Sequence, residues 1–127
     1  MTTLKTPIEL HLDCDEVRLG ERLSGYFIWQ PENPDRCPKK ATVSILWSTE
    51  GRGKGDRQVI NFQILDPNMV MNLIGRKHSF SFEIPLDVPI SYDGFLFRLM
   101  WAVEVKITFP GLFGDKDTAV ASFQVLA

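Results

Sequence analysis

Lys77 to Ile107 reads KHSFSFEIPLDVPISYDGFLFRLMWAVEVKI, and its phase decides the fold. Phe80, Phe82 and Ile84 alternate with Ser79, Ser81 and Glu83. Beyond Gly94, residues Phe97, Leu99, Trp101, Val103, Val105 and Ile107 occupy every second position. Side chains of a strand point alternately to opposite faces, so this period predicts two strands that each bury one face. Between them, Pro85 and Pro89 fix φ and pre-order a corner that carries the chain between two sheets. Gly94 is suited to a positive φ where the chain turns back. Tyr92 is placed to bury its ring and bond its hydroxyl to nearby backbone.

The same period extends to both sides. Ile8–Asp13 predicts a strand with Ile8, Leu10 and Leu12 in phase, followed by a turn through Glu21. Arg22–Gln30 predicts a second, with Leu23, Gly25, Phe27 and Trp29 in phase. Pro31, Pro34 and Pro38 make residues 31–40 a loop, because proline lacks the N–H a ladder needs. Ala41–Ser48 and Arg57–Leu65 predict two more strands around the turn Glu50–Asp56, with Ile60, Phe62 and Ile64 sharing a face of the second. Asp66–Arg76 stays open between a loop, a short strand and up to two helical turns. Lys116–Val125 predicts the last strand. About seven strands separated by turn signals, without a long helix, predict an all-β, immunoglobulin-like antiparallel sandwich. The 127 residues form one domain, 1–127, in this reading.

Composition narrows the function. Hydrophobic residues make up 44%, enough for a core without disulfides. A net charge of −2 gives no electrostatic drive toward nucleic acid. No apolar run is long enough to span a membrane, and the first residues show no secretory signal, so the sequence reads as cytoplasmic.

His78-x-Phe80-x-Phe82-x-x-Pro85, Pro89-x-Ser91-x-x-Gly94 and Arg98-x-x-Trp101-x-Val103 together resemble the arrestin N-terminal-like domain. Val17-x-Leu19-Gly20-Glu21-x-Leu23-x-Gly25 looks like the start of that family's second strand. The chain is similar also to the arrestin-like sporulation-control proteins and to the arrestin-like retromer subunit. The resemblance implies a sandwich that binds proteins and performs no catalysis. There is length here for one such domain where full arrestins carry two, and the Pro-Pro-x-Tyr motifs of many α-arrestins are missing.

Chemistry-bearing residues read mostly as structural. Calcium needs about six to eight converging oxygens. Asp13, Asp15 and Glu16 are expected at the opposite end of the sandwich from Asp115 and Asp117. Cys14 and Cys37 flank one strand, about 30 Å apart, far beyond disulfide reach, so two free thiols are expected. No cofactor and no metal are expected. His11 and His78 accompany no nucleophile, and an enzyme is not expected. Gly51-x-Gly53-x-Gly55 precedes a strand where a phosphate-binding loop precedes a helix, so it reads as a hairpin tip.

The expected function is therefore a non-catalytic adaptor or scaffold module for a protein partner, with a small-ligand or carbohydrate-binding sandwich as the alternative. Partner docking is expected at the end carrying residues 31–40, 66–76 and 108–115. Met69, Met71, Phe109, Leu112 and Phe113, with Val70, would supply an exposed apolar surface, and Arg36, Lys39 and Lys40 a basic rim. The competing reading folds these apolar side chains under the sandwich as a plug. Self-association through strand edges or apolar tips is also open, with the uncharged end Ser122–Ala127 as the unprotected stretch if it lies at an edge.

Overall fold

The computed structural model describes residues 7–33, 35–53, 55–111 and 115–127. Two sheets face each other across one core. The smaller contains β1 (Ile8–Leu12), β3 (Arg22–Trp29) and β6 (Lys77–Glu83), with β3 in the centre. The larger runs β2 (Glu16–Arg18), β9 (Lys116–Leu126), β8 (Phe97–Thr108), β4 (Lys40–Gly51), β5 (Arg57–Leu65), and β7 (Tyr92–Asp93) pairs with β8.

Period-two alternation builds the core as expected. Phe80, Phe82, Leu99, Trp101 and Val103 are all buried, and Leu23, Phe27, Trp29, Val43 and Ile45 complete the facing layers. No buried side-chain nitrogen or oxygen among the described residues lacks a hydrogen-bond partner. Trp29, for example, donates from Nε1 to Asp117 Oδ2 at 3.0 Å.

Two strands lie inside segments read as turns. Within 13–21, β2 pairs in parallel with β9, Val17 beside Val125, and Val17 is buried. The chain leaves β1 and crosses to the other sheet before returning along β3. This covers Gln124–Leu126, so the C-terminal stretch is not the open edge it could have been. The corner holds β7, with Tyr92 opposite Leu99.

The open segment 66–76 contains a helix, α1 (Pro67–Asn72). Asp66 caps it by accepting from the Met69 N–H at 2.9 Å, and proline stands in the first turn, where its missing N–H costs nothing. Gly75 ends the segment at φ 72°, and its N–H donates to the Trp29 carbonyl at 2.9 Å.

Four expectations fail locally. Ile60 was to share a face with Phe62 and Ile64. Instead the register slips at Ile45/Leu46, so Ile60 bulges out of the ladder. Ile60 then packs on the core, while Phe62 and Ile64 face solvent. Phe97 was to join the buried face of β8 but is exposed at the start of the strand, opposite Gly51, which has no side chain to cover it, with the Tyr92 ring 5.0 Å away. Gly94 is not in the left-handed region; glycine stands there because the Tyr92 ring lies where a Cβ would be. That ring is itself exposed, not buried.

Candidate docking surface

Strand reversals gather the loops into two ends. At one, the β3–β4, β5–β6 and β8–β9 connections meet as expected. Arg36 binds Asp115 at 2.7 Å, the Lys39 N–H donates to the Thr108 carbonyl, and α1 is tied to Trp29 through Gly75. Arg36, Lys39 and Lys40 are exposed there. The apolar residues divide. Met69 is exposed and Met71 half-buried, but Val70 is buried. Phe109, expected at the surface, is only 4% exposed. It packs 6.1 Å from the Trp29 ring and lies under the Arg36 guanidinium, so it closes the core instead of offering a contact. Leu112 and Phe113 lie outside the described residues.

The other end carries the exposed apolar surface. Phe95 is 98% exposed, Leu86 78% and Leu96 63%, and Ile90, Tyr92 and Phe97 are also exposed. The backbone beneath them is pinned. Trp101 Nε1–H donates to the Pro89 carbonyl at 3.0 Å. The Ser91 N–H donates to the Val125 carbonyl, and Ser91 Oγ accepts from the Val125 N–H at 2.8 Å. The Ile84 N–H reaches the Glu21 carbonyl, and the Gly94 N–H closes the turn onto the Phe97 carbonyl. Arg98 binds Glu50 at 2.6 Å, tying the corner to the β4–β5 hairpin. Pro85 and Pro89 thus belong to a corner held at many points while its large side chains project outward.

Sequence phase missed this surface. One signal was present: Phe95, Leu96 and Phe97 are consecutive, and a strand cannot bury three neighbours on one face.

Beside the corner an open cleft of about 630 Å³ lies along β8 between β7 and β9. Asp15, Glu16 and Asp93 give it carboxylates, Ser122 and Gln124 neutral polar groups, and Tyr92 and Met100 apolar walls. Its arginine, Arg98, is already engaged by Glu50.

The remaining candidates stay apart. Cys14 and Cys37 are free and exposed, at opposite ends of β3. Among the described residues no three His, Cys, Asp or Glu side chains converge as a metal site. No helix there is long and apolar enough to cross a membrane. The glycine-rich segment is a hairpin tip, closed by the Asp56 N–H on Thr49 Oγ1, with Lys54 outside the described residues.

His11 binds Glu9 at the surface, whereas His78 is half-buried between Phe27 and Gln63. Burial pushes the His78 pKa below its ordinary 6.5 by desolvating the charged ring. Below pH 6.5 the unfolded chain therefore binds more protons here than the folded one. Stability falls with pH until the folded ring is also protonated, and is fully present above 6.5. His78→Gln is expected to lose less stability on acidification than the parent chain. Urea midpoints at a neutral and an acidic pH measure this, and parallel losses in both chains contradict it.

No protein-family model and no curated protein matches this sequence. Among solved structures, the chain is similar to Spo0M, a sporulation control protein from Bacillus subtilis, with a TM-score of 0.67 at 16% identity. The match covers 96% of this chain and 49% of Spo0M, so the chain spans about half the length of that structure. The two share a fold, and the chain is an arrestin-like β-sandwich.

Proposed function

We propose that this chain is a non-catalytic protein-interaction module of arrestin-like type, acting in the cytoplasm, whose partner docks on the corner between β6 and β8. One observation carries the reading: Phe95 and Leu96 stand 98% and 63% exposed in a corner whose flanking backbone is hydrogen-bonded at Pro89, Ser91 and Gly94. Contiguous exposed apolar surface on a soluble fold marks interaction sites, and a rigid presenting backbone lowers the entropy lost on binding. The acidic cleft alongside favours a partner with an apolar anchor and a basic flank. Free, exposed thiols fit a reducing compartment.

The test is the double substitution Phe95→Ser with Leu96→Ser. Proteins crosslinked to the parent chain in native cytosol should be lost from the variant, with the melting transition unchanged. Equal recovery by both chains refutes the corner as the docking surface. A lower melting transition shows the side chains to be structural.

A second reading rests on the Tyr92–Phe97 aromatic pair beside the cleft carboxylates Asp15, Glu16 and Asp93. Exposed rings next to carboxylates are the chemistry that stacks and hydrogen-bonds sugars. A glycan array with the parent chain and Tyr92→Ala separates this reading from the first.

A further inference from the structure

We infer that the chain associates with a second copy of itself through β5, antiparallel across a two-fold axis, joining two large sheets edge to edge. β5 ends the order of the larger sheet, and among the described residues it pairs only with β4. An edge strand presents a row of unpaired backbone groups, which proteins normally blunt with charge, proline or brevity. The other strands at the ends of the two sheet orders have such protection, and β2 covers β9 over Gln124–Leu126. β1 carries Glu9, β2 is three residues of which two are charged, and β6 carries Lys77 and Glu83. In β5, Gln58–Leu65 contains neither charge nor proline, the longest uncharged run among these edges.

The bulge at Ile60 supplies a second observation. It brings Val59 opposite Leu46 and into line with Phe62 and Ile64, all three exposed, the last two by 54% each. An apolar stripe thus runs directly beside the open edge. The Phe62 N–H donates to the neighbouring Asn61 Oδ1 at 2.9 Å. A partner carbonyl can replace that local contact.

The occupant is argued from self-complementarity. Across a two-fold axis the central residue of the strand faces its own copy and residue i faces j while j faces i, so a charge near the axis would oppose a like charge. None occurs between Gln58 and Leu65. Setting Gln63 against its own copy uses the unbulged part of the strand. Its side-chain amide, whose Oε1 lies 3.5 Å from His78 Nε2, both donates and accepts, so it can turn to face its own copy. The same register places Phe62 opposite Ile64 of the second copy, twice, an aromatic–β-branched pair of the kind that stabilises strand pairing. One strand and its stripe form a small interface, at the low end of the ~1,200 Å² that specific contacts bury. The dimer should therefore depend on concentration.

Sedimentation velocity over a hundredfold concentration range tests this. The parent chain should shift from monomer to dimer. Phe62→Lys should remain monomeric with an unchanged melting transition, and Phe95→Ser with Leu96→Ser should still dimerise. A parent chain that stays monomeric throughout, a dimer that survives Phe62→Lys, or loss of the dimer in the corner variant overturns the inference. Should Phe62→Lys prove unstable, amide hydrogen exchange on the parent chain decides. Protection of residues 61–65 that rises with concentration supports β5 pairing, and unchanged protection overturns it.

Discussion

Trp101→Ala is expected to destabilise the chain by about 3–5 kcal/mol, the range for removing a buried large aromatic. Trp101 is fully buried at the centre of β8, opposite Trp47 on one side and Phe123 on the other, with the Phe123 ring 6.1 Å away. Its loss leaves a cavity that neighbouring strands cannot close, because each is fixed in a ladder on both sides. The indole also holds the corner through the Pro89 carbonyl. The alanine variant should therefore loosen residues 85–94 as well as the core. Trp101→Phe keeps most of the ring and loses only the donor, at a cost nearer ~1 kcal/mol for the hydrogen bond. Denaturant midpoints for the two variants measure both parts. An unchanged midpoint for the alanine variant would refute the placement of Trp101.

The second large effect is expected at Gly25, in the middle of the central strand of the small sheet. Gly25 lies opposite Leu12 on β1 and Phe80 on β6. A Cβ there would run into the His11 carbonyl oxygen and come within 2.9 Å of the Phe80 ring and 3.2 Å of Leu12 Cα. Phe80 can turn aside, but a backbone carbonyl within a ladder cannot move without moving its strand. Gly25→Val should thus displace β1 and cost about 1–3 kcal/mol or more, as overpacking does. Amide exchange should show the loss concentrated in Ile8–Leu12. A variant as stable as the parent would mean that β1 yields freely and contributes little to the fold.

Much of the fold was legible because two-residue periodicity is a local property. Val43 and Ile45, Leu99 through Ile107, and Phe80 with Phe82 announce their faces without reference to any partner. The proposed docking surface was less legible. Exposure depends on how far the opposite sheet extends. Phe97 carries the same phase as Trp101, yet one is exposed and the other fully buried. Phe109 and Val70 sit in a proline-rich end and a short helix that look like exposed loops in sequence, but the open mouth of the sandwich needed apolar side chains to close it. Ile60 and Phe62 show the same limit within one strand, where a single bulged residue reverses the phase.

The sequence by itself determined the all-β class, the inward faces of the long strands, the placement of loops at two ends, and the resemblance of the Lys77–Ile107 segment to arrestin-like domains. Each follows from side-chain alternation and from proline and glycine chemistry, which act between near neighbours. Only the tertiary structure decided that β2 crosses to pair with β9, that β5 is left open, and that the corner bearing Phe95 and Leu96 projects while Phe109 closes the core. Those outcomes depend on which strands meet across the sheets, and pairing between residues distant in the chain leaves no periodic trace in the segments that pair.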